Sequence, residues 1–298
     1  MSTHIDEKKN TVSFDEWANG AEVKPAKTGI LGRAGDLGLS ALKSAISVPE
    51  TAVGLANIVS GGKAGKAVES AGIRFKDAKD ILDAQKSDAA KDAEWRFQNA
   101  EGFTGKLGAA VENPSLIANT LVESAAPMLA GGVVGRGLSI AAPRLAGAAG
   151  AIGEGVVGAG SASEQIRQES ADGELSGKQA ALAGASGLAT GLLGYGGGKL
   201  ANRFGVGDID TALAGGARTA GVQAGKEATG MLKRVGGGAL SEGVFEELPQ
   251  SVSEQMLQNV ALDRDPMQGV DAAAAMGLLS GGVMGGGMQP QAHAQIVM

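Results

Sequence analysis

The sequence predicts an all-α protein of Gly/Ala-rich helical hairpins and amphipathic helices, partly disordered or marginally stable as a monomer. Three tracts of small residues, at 124–163, 179–198 and 272–292, carry almost no charge. The 298 residues include 50 glycines but only six Phe, two Trp and one Tyr, too few aromatic residues for a conventional core. Glycine costs a helix interior about 1 kcal/mol relative to alanine, so we expect such helices to be stable only when partners pack against them.

Glycines spaced four residues apart within these tracts predict close helix-to-helix contacts, because small residues at this spacing let two backbones approach. The predicted helix-packing pairs are Gly131/Gly135, Gly187/Gly191, Gly194/Gly198 and Gly281/Gly285. A membrane-spanning helix needs about 20 mostly apolar residues, a length that the second and third tracts just reach. Alanine and glycine make such segments marginal for insertion. The other interpretation of the tracts is flexible, poorly ordered chain.

Shifts in composition divide the chain into four segments. Residues 1–26 form a polar leader and residues 27–112 form soluble amphipathic and charged helices. Residues 113–238 form the Gly/Ala-rich helical hairpin region, and residues 239–298 combine an amphipathic helix with a Gly/Ala/Met-rich tract.

Local signals place the helices of the second segment. An apolar stripe at helical spacing begins at Ile30. The capping-box pattern Ser47-Val48-Pro49-Glu50 predicts that a second helix begins there, and Gly61-Gly62 predicts its end. Alternating charges between residues 75 and 98 predict an exposed helix, supported by the pairs Lys79/Asp83 and Asp83/Lys86.

Prolines organise the hairpin region. Asn113-Pro114 predicts a helix start, and Pro127 predicts a kink or an end. Pro143 interrupts the first tract, so we expect residues 129–142 and 145–163 to form a hairpin. Ser176 is expected to cap the helix of the second tract.

The segment 239–269 carries a predicted amphipathic helix. Its apolar stripe consists of Phe245, Leu248, Val252, Met256 and Val260. Pro249 is expected to bend this helix or divide it in two. The neighbouring residues Glu246 and Glu247 diverge by about 100° on a helix, so they are interpreted as a solvated face rather than an opposed catalytic pair.

Motifs that suggest catalysis or cofactor binding are weak. Residues 153–158 match the glycine pattern of dinucleotide-binding loops, but a chance match is expected at this glycine content and no strand precedes it. Asp208/Asp210 and Asp263/Asp265 are interpreted as helix caps and turns rather than metal ligands. The residues thus predict no catalytic, cofactor-binding or metal site.

Histidine and cysteine usage leads to the same expectation. His4 and His293 lie near the chain ends, which argues against a histidine triad. The chain has no cysteine, so disulfides, thiolate zinc sites and cysteine nucleophiles are excluded.

The net charge and the polar leader bear on nucleic-acid binding and on where the protein is made. The net charge is −6 and the basic residues are scattered, so sequence-specific nucleic-acid binding is not expected. The leader has charges of both signs and no apolar run, so it is not a secretory signal peptide and we expect synthesis in the cytoplasm.

Four stretches together resemble a known family. They are Gly153–Ser176, GLLGYGGGKLANRFGVGDID (Gly191–Asp210), SEGVFEELPQSVSEQMLQN (Ser241–Asn259) and the closing Gly/Ala/Met tract. Over residues 110–288 the chain resembles the Gly/Ala-rich helical segment of large internal virion proteins of tailed phages, the DNA-ejection proteins. Chains of that family are usually much longer, so the sequence is expected to be a truncated form, a fragment or one piece of a split gene.

The resemblance implies a non-enzymatic protein that is stored in the virion interior and then moves to the host cell envelope, where it helps form a conduit for DNA. It implies self-association or other virion proteins as partners, with a host membrane as a further partner. Some family members carry a lytic transglycosylase or another enzymatic domain, but these residues show no pattern of one, so cell-wall cleavage is not expected. Two other functions stay open: a membrane-active effector or pore-forming toxin, and a soluble helical scaffold or assembly protein.

Overall fold

The computed structural model describes residues 29–203 and 240–287, and the regular structure of both ranges is helical throughout. The all-α prediction is confirmed. The described α-helices are α1 (Ile30–Ser60), α2 (Lys63–Ser70), α3 (Phe75–Ala84), α4 (Asp88–Asn99), α5 (Gly102–Glu112), α6 (Pro114–Ala141), α7 (Ala149–Glu169), α8 (Gly177–Arg203), α9 (Leu248–Ala261) and α10 (Val270–Gly287). A 3-10 helix (Pro143–Ala148) precedes α7, and a π-helix (Leu240–Glu247) precedes α9. The leader, Asp208, Asp210 and both histidines lie outside the described residues.

Helix α7 is the centre of the arrangement. It packs against α1, α6 and α8, which surround it. Helix α9 packs on α8 and α10, and α10 also contacts the π-helix and α5. Three different helices therefore approach α7, so three of its sides must fit a neighbouring helix.

Helix α1 is unbroken from Ile30 to Ser60 with Pro49 in its interior, so the prediction of a new helix at residue 47 is wrong. The Ser47 hydroxyl bonds back to the carbonyl of Lys43 at 3.1 Å, and Glu50 pairs with Lys79 on α3. Both side chains of the expected capping box thus have other partners. The predicted end is confirmed, because Gly61 and Gly62 adopt φ angles of 64° and 87°.

The charged segment forms two helices. Ser87 caps α4, since its hydroxyl accepts the N–H of Ala90 at 3.2 Å. Asp83 pairs with Lys86 at 2.8 Å as predicted. Lys79 instead reaches α1, so the predicted Lys79/Asp83 pair is wrong.

Prolines act differently along α6. Pro114 occupies the first turn of α6, but Pro127 lies inside the helix without ending it. Pro143 opens the 3-10 helix that turns the chain back, so α6 and α7 form a hairpin. Ser176 accepts the N–H of Gln179 at 3.2 Å, which confirms its role as the cap of α8.

Small residues dominate the buried apolar positions. One cluster consists of Phe97, Ala110, Leu116 and Ala275, and a second consists of Ile166, Leu175, Ala183 and Ala261. Many larger aliphatic side chains lie on the surface instead, and many polar side chains are buried. The described part of the chain is therefore unusually polar inside and apolar outside.

Candidate functional site

Glycines form the contact between α6 and α7. A Cβ atom on Gly153 would overlap the carbonyl oxygen of Gly131 and lie 2.8 Å from the nitrogen of Gly135. Gly131 and Gly135 are both buried. This predicted pair therefore lies where two helix backbones touch, and its partner across the contact is a third glycine.

The contact between α7 and α8 repeats this arrangement. A Cβ on Gly155 would lie 2.5 Å from the carbonyl oxygen of Gly187, and a Cβ on Gly191 would lie 2.8 Å from that of Ala151. A Cβ on Gly187 would in turn overlap the carbonyl oxygen of Gly155. The second predicted pair thus also lies in a backbone-to-backbone contact.

A third contact, between α7 and α1, was not foreseen. A Cβ on Gly160 would lie 2.5 Å from the carbonyl oxygen of Thr51, and one on Gly54 would overlap the carbonyl oxygen of Gly160. The hydroxyls of Thr51 and Ser161 are 2.9 Å apart beside it. Gly54 has no second glycine four residues away in α1, so glycine spacing within one helix gave no signal for it.

The other predicted pairs have different surroundings. A Cβ on Gly194 would meet the carboxylates of Glu154 and Glu246, while Gly198 is buried near the end of α8. Gly281 is buried in α10, and Gly285 lies in its last turn.

The close contacts of α10 involve residues that were not predicted. A Cβ on Gly243 of the π-helix would lie 2.8 Å from the carbonyl oxygen of Leu278 and 2.9 Å from the nitrogen of Gly282. A Cβ on Gly277 would lie 2.5 Å from the carbonyl oxygen of Glu247. Glycines therefore also line the contact between α10 and the segment that precedes α9.

The dinucleotide-type glycine pattern at 153–158 lies inside α7. Its glycines Gly153 and Gly155 face α6 and α8, and Gly158 faces Thr190. A phosphate-binding loop needs open backbone N–H groups at the start of a helix. These glycines instead make room for neighbouring helices, so the pattern results from helix packing and not from a phosphate-binding loop.

A buried polar network joins α7 to α1 and α2. The guanidinium of Arg167 binds both oxygens of Glu164, at 2.9 and 2.7 Å, and Glu69 at 2.6 Å. Glu164 also accepts a bond of 2.6 Å from Asn57 on α1. The hydrogen bond to Glu164 is the main reason that the pKa of Arg167 is raised. Arg167 therefore keeps its charge in the interior.

A second network joins α1, α3, α4 and α6 around Lys86. Its ammonium lies 2.8 Å from Asp83, 2.5 Å from Glu94 and 3.4 Å from Glu123. Lys43 adds contacts of 2.8 Å to Asp83 and 3.1 Å to Glu123. Burial opposes the charged form of Asp83, but hydrogen bonds from the two lysines lower its pKa overall.

The predicted amphipathic stripe is not the buried face of its segment. Phe245 is 51% exposed, whereas Glu246 beside it is 1% exposed. The remaining stripe residues are half-buried: Leu248, Val252, Met256 and Val260. The interpretation of Glu246 as part of a solvated face is therefore wrong. Its carboxylate fits against the surface that Gly194 and Gly197 leave open on α8.

A cavity of about 460 Å³ lies between α6, α7, α9 and α10. Glu123, Glu154, Glu247 and Glu254 contribute to its lining, which contains no basic residue. Thr190 on α8 donates a bond of 2.6 Å to Glu254. Burial raises the pKa of Glu254, an effect that hydrogen bonds with Thr190 and Gln250 partly offset.

The described residues contain no cluster of three or more His, Cys, Asp or Glu suited to a metal ion. Asp263 pairs with Lys178 at 2.6 Å, and Asp265 accepts the N–H of Met267 at 2.9 Å. These two aspartates therefore make turn and ion-pair contacts.

The outer surface of α1 is apolar. We define the outer α1 face as the exposed residues of α1 from position 34 onward: Ala34, Gly35, Leu37, Gly38, Ala41, Leu42, Ala45, Val48, Pro49, Ala52, Ala56 and Val59. The opposite side of the helix buries Asp36, Glu50 and Asn57. Helix α1 thus turns its polar side inward and its apolar side outward, the reverse of a water-soluble amphipathic helix.

Helix α6 is the described helix that is long and apolar enough to cross a membrane, and only 17% of its most apolar 18-residue window is buried. Its outer side exposes Leu129, Val133 and Ile140, with Arg136 among them. The helices of the second and third tracts do not pass the same test over their described residues; Val270–Met284 is a shorter apolar helix.

Polar groups thus lie inside this helical assembly, aliphatic groups lie outside, and glycines line its helix contacts. Comparison of the chain with models of protein families, with curated proteins and with solved structures finds no match.

Proposed function

We propose that the chain is a non-enzymatic, DNA-ejection-type virion protein that associates with a membrane or with partner helices and helps form a conduit for DNA. The single observation that carries the proposal is the inverted distribution of side chains on α1. This helix buries Asp36 and Asn57 and exposes Leu42 and Val59, which are 55% and 88% accessible.

An apolar exterior is costly in water, because every exposed aliphatic side chain forgoes the gain of burial, about 25 cal/mol per Å². Extended apolar surface on a folded protein is typical of regions that contact other proteins or membranes. The glycine contacts of α7 fit such a setting. Close backbone packing holds helices together even where lipid removes the hydrophobic drive between them.

The conduit role comes from the likeness to ejection proteins, and the polar interior is compatible with it. Buried networks centred on Arg167 and Lys86 join six helices, α1, α2, α3, α4, α6 and α7. Such networks hold the helices together without a large apolar core. A protein of this design keeps its fold while its outer surface changes surroundings.

The test is mass spectrometry of purified phage particles before and after DNA release. We expect peptides of this chain in full particles and their loss from emptied ones. Absence from full particles would remove the ejection role. Binding of the purified chain to liposomes without any presence in particles would then favour a membrane-active effector, and failure to bind liposomes would favour a soluble scaffold.

A further inference from the structure

The outer α1 face is continuous and free of polar residues. Between Ala34 and Val59 every exposed residue of α1 is Ala, Gly, Leu, Val or Pro. At a rise of about 1.5 Å per residue this face is about 38 Å long. The charged side chains of the same stretch point inward, where Lys43 and Glu50 find partners on α3 and α6.

Cationic residues mark both ends of this face. Arg33 precedes it and Lys63 follows it, and both are exposed. Neither forms an ion pair with any residue that the structure describes. The face is therefore apolar along its length and has one exposed cationic residue beyond each end, although the whole chain carries a net charge of −6.

We infer that the outer α1 face binds the surface of an anionic lipid bilayer, with α1 lying in the membrane plane. Ala, Leu and Val side chains would enter the boundary between headgroups and acyl chains, as in interfacial helices. Arg33 and Lys63 would contact anionic headgroups. This inference rests on the proposed membrane role and names the surface and the lipid that serve it.

The end charges favour lipid over a second copy of the chain. If two copies paired through this face with antiparallel helices, Arg33 of each would approach Lys63 of the other. Parallel pairing would bring Arg33 against Arg33. A two-fold contact repeats one patch on both sides, so either arrangement juxtaposes like charges. An anionic bilayer complements both ends.

The first experiment measures partitioning of the full chain into vesicles. Vesicles of 70% phosphatidylcholine and 30% phosphatidylglycerol are compared with vesicles of phosphatidylcholine alone. We expect binding to the anionic vesicles that is at least about tenfold stronger and that falls as salt rises. Equal binding to both compositions, or no binding, would overturn the inference.

Two pairs of substitutions separate the apolar and cationic contributions. Leu42→Glu with Val59→Glu places charge in the middle and at the end of the face, and Arg33→Glu with Lys63→Glu reverses its ends. Each pair should weaken binding to anionic vesicles at least about tenfold. Val111→Glu on α5, where Val111 is 58% exposed, is the matched control and should bind like the unaltered chain. Circular dichroism checks that all variants keep their helical content.

A fluorescent label reports the contact directly, because the chain has no cysteine that would react elsewhere. An environment-sensitive dye on Ala52→Cys should shift to the blue with anionic vesicles, whereas the dye on Ala84→Cys, an exposed residue of α3, should not. A blue shift that appears without lipid and coincides with dimers in sedimentation would identify a second copy as the occupant and overturn the inference.

The two proposals fail separately. Loss of the chain from emptied particles together with unaltered vesicle binding by both variant pairs would retain the ejection role and reject the outer α1 face. Vesicle binding that both variant pairs weaken, by a chain that is absent from particles, would retain the outer α1 face as a membrane-binding surface and reject the ejection role.

Discussion

The guanidinium of Arg167 lies against the carboxylate of Glu164, one turn earlier on α7, with two hydrogen bonds of 2.9 and 2.7 Å. The two side chains are 2% and 1% exposed. Because Glu164 also binds Asn57 and Arg167 also binds Glu69, this pair connects α7 to α1 and α2. Ionic groups here occupy the position that leucines hold in most helical bundles.

Replacement of Glu164 by Gln should strongly destabilise the protein. The change leaves a buried guanidinium without its main counter-charge, and removal of one partner from a buried pair costs about 3–5 kcal/mol. Urea unfolding of the full chain measures the loss. The control is Asp263→Asn, which removes an exposed pair with Lys178 and should cost less than about 1 kcal/mol. Equal effects of the two substitutions would contradict the central role of the Arg167–Glu164 pair.

Gly153→Ala should also destabilise the protein, by about 1–3 kcal/mol, because the added methyl group would overlap the backbone of Gly131. Gly184→Ala on α8 is the matched control. Nothing lies within 4 Å of the Cβ position there, so alanine should stabilise α8 by about 0.5–1 kcal/mol. Denaturant unfolding should therefore show that Gly153→Ala lowers the free energy of unfolding and Gly184→Ala raises it. A stabilising Gly153→Ala would mean that α6 and α7 do not touch at this point.

Local sequence signals predicted helix ends well. The left-handed Gly61-Gly62 and the cap at Ser176 depend only on residues within one turn of the helix end. The residue types at these positions are therefore enough to predict them. The same signals failed at Ser47, because Glu50 takes a partner 29 residues away on α3. A capping pattern predicts a helix start only where its side chains have no better partner.

Orientation of the helices could not be predicted from periodicity. The stripe that begins at Ile30 shows that α1 has two unlike faces, but not which of them faces inward. That choice depends on distant partners, such as Glu164 for Asn57 and Ser87 for Asp36. Ser87 lies 51 residues from Asp36, and Glu164 lies 107 residues from Asn57.

For the contacts of α7 with α6 and α8, the glycines were predictable on one side only. Spacing identified Gly131, Gly135, Gly187 and Gly191, because four-residue intervals describe one flat helix face. It could not identify the facing helix. Gly153 and Gly155 are only two residues apart and face different neighbours, so they matched a loop motif instead of a packing pattern.

Pro49→Ala distinguishes the unbroken helix from the predicted restart. Inside a helix, proline lacks the N–H that would bond to the carbonyl four residues earlier, and it costs about 3 kcal/mol relative to alanine. Since α1 continues through Pro49, alanine should raise the free energy of unfolding by about 1–3 kcal/mol. Proline is favoured in the first turn of a helix, so a restart at this point would make alanine neutral or slightly destabilising. Urea unfolding decides between the two.

Glu254 should make stability fall as the pH rises. Burial raises its pKa in the folded protein above the ordinary value of 4.5, so the proton is held more tightly in the folded state. Below pH 4.5 both states are protonated and the full stability is present. As the pH rises, the unfolded chain ionises first, and stability declines until the pH passes the folded pKa.

Glu254→Gln should remove that decline, because the amide keeps the hydrogen bond from Thr190 but carries no proton to lose. One group contributes at most about 1.4 kcal/mol per pH unit, a slope that urea unfolding between pH 5 and pH 8 resolves. Glu112→Gln on α5, at an exposed position, controls for the loss of one carboxylate. The free energy of unfolding of Glu254→Gln should rise relative to that of the unaltered chain as the pH rises. If the stabilities of Glu254→Gln and the unaltered chain changed in parallel with pH, Glu254 would already be ionised in the cavity, beside Glu123, Glu154 and Glu247.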